Sequence, residues 1–296
     1  MEKSFIISLL RRHGIRLSRQ LGQHLLVDEA VLADIAAAAG GDASARIVEI
    51  GAGAGSLSLR LAGTGAQVIA LELDRRFEPI HHAIMRSQPR LAARIEWRYA
   101  DALDTDWAAE AAAARTAGKR FVITGNIPYQ ITSPLVMAVL ESGAEFESMV
   151  LMMQREVAER LTARPGSKRN GGITIKCQYF CDIETVRDVS RRAFLPPPEV
   201  ESRVLRFRRR AGVPPGRPAD LFSLVEAGFG QRRKMLTNSV AASGIGWTKP
   251  EVESALRRLG MDPAVRAEGL GLAEFMALLD ALRGLPPAHG AITGRV

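Results

Sequence analysis

Gly125-Asn126-Ile127-Pro128-Tyr129 follows the apolar run Phe121-Val122-Ile123. Gly, Asn and Pro favour turns, each for its own backbone reason, but a turn needs neither an Ile nor a Tyr. The five residues make better sense as a site. Asn126 offers an amide oxygen, the peptide carbonyls beside Pro128 offer rigid acceptors, and Tyr129 offers a ring face. Two such acceptors can hold an exocyclic amino group while the ring stacks a base. Stacking on an aromatic is worth roughly 1–3 kcal/mol per base, and removing a base from its helix costs a similar few kcal/mol. One ring therefore offsets much of the cost of splaying a base out. The chemistry this set suits is transfer to the amino group of such a base, for which a hydride carrier has no use.

A second set of residues suggests where the transferred group comes from. Gly51-Ala52-Gly53-Ala54-Gly55 follows the strand-like "ARIVEI" and opens the helix-like "SLSLRL". Glycines there allow a ligand close to the backbone, at a helix N-terminus that favours polar groups. The spacing is neither that of a triphosphate-binding loop nor the full dinucleotide fingerprint. Glu72 ends the next strand, 21 residues after Gly51, where an acid reaches a ribose diol in doubly wound folds. Asp101 ends the third strand, placed to accept from an adenine amino group. The ordinary alternative makes Glu72 a surface acid and Asp101 a helix cap. Taken together, the three features predict an adenosine-containing cofactor at the carboxyl ends of the strands. Between NAD and S-adenosylmethionine, the Asn-Ile-Pro-Tyr block selects the latter.

These residues need a sheet to hold them. The runs "ARIVEIGAG", "AQVIALELD", "RIEWRYAD", "RFVITGN" and "SMVLMMQ" read as five strands alternating with helices, which predicts a parallel sheet covered on both faces. "DIETVRDV" and "SRVLRFRRR" read as two further strands around the proline-rich "FLPPPEV". The expected fold class is thus α/β, Rossmann-like, with a mostly parallel seven-stranded sheet. A Pro/Gly-rich stretch at 211–220 reads as a linker, followed by a small all-α domain. The expected organisation is a basic N-terminal segment at 1–22, a catalytic domain at 23–210, the linker, a helical domain at 221–285 and a loose tail at 286–296.

Charge is unevenly spread. Residues 1–22 carry five basic and one acidic side chain, 23–150 carry 11 and 16, 151–211 carry 14 and 7, and 212–296 carry 10 and 8, giving +4, −5, +7 and +2 and a total of +8. A polyanion would meet the basic flanks first. Arg155, Arg160, Lys168, Arg169, Arg232, Arg233 and Lys234 are the expected phosphate contacts, which position RNA without reading its sequence. "FIISLL" is six residues long and runs into Arg11 and Arg12, so neither a secretory leader nor a membrane span is expected. Cys177 and Cys181 are expected as buried thiols of a reducing compartment. No His/Cys set has zinc spacing, so no metal is expected. A cytoplasmic monomer is the expected state.

Several blocks carry a resemblance to a known family: "LGQHLLVDEAVL", "VEIGAGAGSLSLRL", "ALELD", "ADAL", "GNIPYQITSPL", "AFLPPPEVESRVLRF", "GFGQRRKMLTNSV" and "MDPAVRAEGLGLAEF". Over nearly its whole length the chain resembles the ribosomal RNA adenine N6,N6-dimethyltransferases, in particular the bacterial small-subunit type, KsgA. The resemblance implies S-adenosylmethionine as methyl donor, with S-adenosylhomocysteine as product. It implies two adjacent adenosines near the 3′ end of small-subunit rRNA as substrate, within the assembling small ribosomal subunit. Carried over by position, the cofactor contacts would be His24, Leu26, Gly51, Glu72, Asp101 and Asn126, with Gly53 beside them. Asn126, Pro128 and Tyr129 would carry the catalytic set, and Phe194 would be a second stacking aromatic. This chain departs from the common "GQNFL" pattern, having His24 and Leu25 in place of Asn and Phe. Two other readings stay open: a large-subunit methyltransferase of the antibiotic-resistance branch, which shares the Asn-Ile-Pro-Tyr block, and an assembly factor acting mainly by binding.

Overall fold

The apolar strands predicted in the first half all form, and their order places the two motifs side by side. The computed structural model describes residues 3–18, 22–128, 130–213, 216 and 218–284. Tyr129, parts of the expected N-terminal segment and linker, and the expected tail at 286–296 lie outside the described residues. The chain divides into two compact units, Met1–Ala158 with Cys181–Pro215 and Glu159–Phe180 with Gly216–Val296. Residues 159–180 thus group with the C-terminal helices, although they fall inside the 23–210 span expected for the catalytic domain.

The first unit begins with α1 (Lys3–Arg12), whose Ile6, Leu9 and Leu10 share one face and are buried. Spacing of i, i+3 and i+4 makes such a stripe, so the N-terminal segment contributes to the core and is more than a basic flank. There follow β1 (Leu25–Leu26), α2 (Glu29–Ala38), β2 (Ala45–Ile50), α3 (Ser56–Gly63), β3 (Gln67–Glu72), α4 (Glu78–Ser87), α5 (Pro89–Ala92), β4 (Ile95–Tyr99), α6 (Trp107–Thr116), β5 (Arg120–Asn126), α7 (Thr132–Glu141) and β6 (Ser148–Gln154). Then come α8 (Arg155–Leu161), in which the unit boundary falls, and α9 (Gly172–Phe180) of the second unit. The first unit closes with β7 (Cys181–Val189), β8 (Phe194–Leu195) and β9 (Ser202–Arg209). Asp28 caps α2 by accepting from the Ala30 and Val31 N–H groups, a contact worth about 1 kcal/mol.

The seven-stranded sheet runs β4-β3-β2-β5-β6-β9-β7, parallel except that β9 runs antiparallel to both its neighbours. Ile47, Val48 and Ile50 of β2 alternate between faces, yet all are buried. Both faces are therefore covered, as parallel strands require. The direction of winding reverses between β2 and β5, and ligands of open α/β sheets bind at the carboxyl ends of such a switch point. Ile50 is in register with Gly125 there. A Cβ on Gly125 would lie 2.4 Å from the Ile50 carbonyl oxygen, so only glycine allows the two strands this approach. A separate two-stranded ladder pairs Leu25 with Leu195 and Leu26 with Phe194. No sequence pattern predicted that pairing.

The second unit holds α9 with α10 (Ala219–Phe229), α11 (Leu236–Ala241), α12 (Lys249–Arg258) and α13 (Leu272–Leu282). Phe222, Leu224, Val225, Val240, Leu256, Phe275 and Leu278 form its buried interior. The short α11 was not anticipated. Among the described residues no helix is long and apolar enough to cross a membrane. Both cysteines are buried, and neither forms a disulfide.

Candidate active site

A cleft opens at the switch point, where open α/β sheets usually hold their ligands. His24, Gly51, Gly53, Glu72, Asp101, Asn126 and Pro128 all line it, so one cavity gathers most of the cofactor and catalytic residues expected from sequence. The turn after β2 is set by backbone geometry. Gly51, Gly53 and Gly55 take φ of 72°, 52° and 80°, a region that other residues rarely enter. The Gly51 and Ala52 N–H groups both donate to the Leu71 carbonyl, at 2.9 and 3.0 Å. A Cβ at Gly51 would come 3.4 Å from the Asn126 carbonyl, and one at Gly53 would come 2.7 Å from a Leu25 methyl. The glycines therefore let the turn close against Leu25 and Asn126, and the backbone cradle they form lines the cleft.

Glu72 reaches across this cradle from the end of β3. Its Oε2 accepts from the Gly53 N–H at 2.7 Å and its Oε1 from the Asp74 N–H at 2.8 Å. Burial raises its carboxyl above the usual range, while the Asp74 and Gly53 N–H groups pull it back down. Asp74 behaves oppositely. The guanidinium of Arg76 and, less strongly, the amide of Gln23 hold it down to about 2. Gln23 Nε2 lies 2.7 Å from Asp74 Oδ2, and Gln23 Oε1 accepts from the Ser18 N–H at 2.7 Å. Asp74 so ties the segment before β1 to the end of β3. Asp101 lines the cleft and also caps the turn after β4, its Oδ1 accepting from the Leu103 N–H at 2.9 Å.

On the opposite wall, Asn126 ends β5 with its Nδ2 on the His24 carbonyl at 2.9 Å. The His24 ring turns to the Pro196 carbonyl, 2.8 Å from Nδ1. Pro128 borders the cleft, but its carbonyl already accepts from the Ile131 N–H at 3.1 Å and the Thr132 hydroxyl at 3.2 Å. A carbonyl oxygen has two lone pairs, so this one is committed to opening α7. Tyr129 lies outside the described residues.

Other expected contacts fall elsewhere. Leu26 lies in an adjoining recess with Glu49 and Asn126 and not in the main cleft. Phe194 is 1% exposed and belongs to the hydrophobic core. Its place in the β8–β1 ladder turns the ring inward, so it offers no face to a base in this structure. Arg155, Arg160, Lys168, Arg169, Arg232, Arg233 and Lys234 are all exposed. Arg169 pairs with Glu159, and Arg232 Nη2 donates to the Lys168 carbonyl at 2.7 Å. Much of the positive charge of 151–211 is met locally, since Arg203 and Arg210 pair with Asp188 and Asp182 at 2.6 and 2.8 Å and Arg206 pairs with Glu184. Sequence reasoning gave Gln23 and Glu49 no role and weighed His81, beside His82, only as a metal ligand. Glu49 could have been noticed as the one acid inside an apolar strand. Burial pushes its carboxyl up to about 8, against the hydrogen bond from Ser58. Among the described residues no cluster of His, Cys, Asp and Glu could hold a metal ion.

The chain matches the family model for ribosomal RNA adenine dimethylase over residues 14–280. It is 40% identical to the ribosomal RNA small subunit methyltransferase A of Anaeromyxobacter dehalogenans, over 93% of this chain and 96% of that protein. Identity to the Pelotomaculum thermopropionicum protein of the same name is 38%, over 92% and 94%. A dimethyladenosine transferase from Plasmodium falciparum superposes with a TM-score of 0.73 at 26% identity, covering 88% of this chain and 98% of that one. The 23S rRNA methyltransferase ErmE gives 0.64 at 26% identity, over 88% and 99%. With most of its length matched and the motif residues gathered in one cleft, the chain belongs to the ribosomal RNA adenine dimethylase family.

Proposed function

We propose that this chain uses S-adenosylmethionine to dimethylate N6 of two adjacent adenosines near the 3′ end of small-subunit rRNA. The observation that carries the reading is the meeting, in one cleft at the switch point, of a glycine cradle, a buried strand-end acid and an amide anchored through its nitrogen on the His24 carbonyl. Family membership and the names of the small-subunit relatives support the choice of substrate.

The residues present suit the donor. Gly51 and Gly53 line the cleft with bare backbone that a ligand can approach, and Glu72, oriented by backbone N–H groups that include those of Gly53 and Asp74, lines it as an acceptor for a ribose hydroxyl. Asp101 would accept from the adenine amino group, and His24 would be a further cofactor contact. Bound there, S-adenosylmethionine supplies an electrophilic methyl group on a sulfonium. What remains for the protein is positioning. The amino nitrogen of adenine is a poor nucleophile because its lone pair is delocalised into the ring. Asn126 Oδ1 and one backbone carbonyl would accept its two N–H groups and draw the nitrogen toward a tetrahedral shape. Since the Pro128 carbonyl is committed within its own turn, the Ile127 carbonyl would take this part. Tyr129 would stack the base. No general base is required, because the amine becomes acidic as the new bond forms.

The test is the mass of the 3′ fragment of small-subunit rRNA after incubation of unmethylated subunits with the chain and S-adenosylmethionine. A gain of four methyl groups is expected. Activity confined to large-subunit RNA would overturn the substrate, and tight binding to small subunits without transfer would overturn the enzyme in favour of an assembly factor.

A further inference from the structure

α4 carries a histidine, His81, that is 0% exposed and lies directly against the glycine turn. Its Nε2 is 2.8 Å from the Gly53 carbonyl and its Nδ1 is 2.8 Å from the Tyr99 hydroxyl. A carbonyl can only accept, so Nε2 carries the proton. Nδ1 is then the acceptor, and Tyr99 must donate to it. The ring stacks on Trp97 with centroids 3.8 Å apart and planes 12° from parallel. Trp97 and Tyr99 are two apart on β4 and share a face, so a single strand supplies both supports. Trp97 also bounds the turn directly, since a Cβ on Gly55 would lie 2.8 Å from its ring.

The consequence falls on Gly53. Glu72 holds its N–H and His81 holds its C=O. A left-handed glycine is the freest residue the chain has, and here both its polar groups are pinned by buried side chains. The pins fix the peptide planes on either side of Gly53 before any ligand arrives. A preset turn spares the ordering cost that a loose one would incur on binding. Burial also holds His81 down to about 4, so it stays neutral and Nδ1 keeps its lone pair at neutral pH.

We infer that His81 is a positioning residue for the methyl donor, setting the Gly53 carbonyl through Nε2–H while Tyr99 fixes the tautomer. The inference rests on the reading of this cleft as the S-adenosylmethionine site. It predicts a specific kinetic split. An interaction that presets a binding surface equally for ground state and transition state changes affinity and leaves the chemical step alone.

The experiment titrates the full chain with S-adenosylhomocysteine by calorimetry and follows methyl transfer to small subunits in parallel. His81→Phe keeps a flat ring on Trp97 and loses both hydrogen bonds. His81→Gln keeps an amide donor near the Nε2 position. The expected result is a roughly tenfold weaker Kd for His81→Phe, a matching rise in KM for the donor, kcat within about twofold of wild type, and substantial recovery in His81→Gln. Unchanged affinity in His81→Phe, a loss of kcat without a change in Kd, or no recovery in a folded His81→Gln would each overturn the inference. Should His81→Phe fail to fold, Tyr99→Phe decides: it removes one hydroxyl, is expected to weaken binding about threefold, and sinks the idea if binding is unchanged. Failure of the wild-type chain to bind S-adenosylhomocysteine would instead sink the reading of the cleft.

Discussion

The side-chain nitrogen of Asn126 lies 2.9 Å from the backbone oxygen of His24, joining positions 102 residues apart. Because that oxygen can only accept, the amide has one orientation, with Nδ2 turned to His24. Oδ1 is thereby left as an acceptor at the edge of the cleft. Asn126→Ala removes both functions and is expected to lower methyl transfer about 100-fold or more, a loss typical of misplaced reacting groups. RNA retention on a filter should be nearly unaffected. Asn126→Asp keeps acceptor oxygens but sets a carboxylate against the His24 carbonyl, so it too should lose most activity. Wild-type turnover in Asn126→Asp would show that the anchor is dispensable.

Glu72 gives a second prediction from the same logic. Both of its oxygens accept from backbone N–H groups, those of Gly53 and Asp74. Glu72→Gln must turn an amide NH2 toward one of these donors. The expected outcome is a lower melting temperature together with at least tenfold weaker binding of S-adenosylhomocysteine, since a buried donor loses its partner at roughly 1–3 kcal/mol. Calorimetry and thermal melting measure the two parts. A variant with normal melting and normal affinity would remove Glu72 from the site.

How far the sequence disclosed this site follows from which contacts are local. The strand ends were legible because apolar runs stop at Gly51, Glu72, Asp101 and Asn126, and a parallel sheet brings such ends together without further information. Phe194 was misplaced because its burial depends on pairing with Leu26, a two-residue ladder that no periodicity marks. Residues 159–180 read as part of the sheet domain, yet Asn170 Nδ2 donates to the Glu268 and Leu270 carbonyls and groups this segment with distant loops of the helical unit. His81 was invisible for a similar reason. Beside His82 it reads as one of an adjacent pair without metal-ligand spacing, and only β4 shows what it faces.

Glu49 predicts a pH dependence. Burial is the main cause that raises its carboxyl from 4.5 to about 8, and the nearby charge of Glu72 adds to it. A group whose pKa is raised on folding stabilises fully below its unfolded pKa and loses that contribution as pH climbs through the folded value. Stability should therefore decline between about pH 4.5 and 8 from this residue. Glu49→Gln has no proton to lose, so its melting temperature relative to wild type should rise steadily across that interval. A constant difference from pH 5 to 9, about four units, would mean that Glu49 ionises at an ordinary value in the fold.

The basic residues of the helical unit separate into two kinds, and the separation can be measured. Arg232 Nη2 donates to the carbonyls of Lys168, at 2.7 Å, and Asn170, at 3.3 Å, so its guanidinium braces one loop of the unit against another. Arg233 and Lys234 are exposed neighbours on the same turn. A phosphate contact releases a counterion when RNA binds, and its loss lowers the salt dependence of affinity by about one unit of logarithmic slope. Arg233→Ala and Lys234→Ala should each show that change with unaltered melting. Arg232→Ala should lower the melting temperature, because two loop carbonyls lose their donor, and any effect on RNA affinity should follow from the disturbed loops with little change in slope. A full unit of slope lost in Arg232→Ala at unchanged stability would instead make Arg232 a phosphate contact, and the brace incidental.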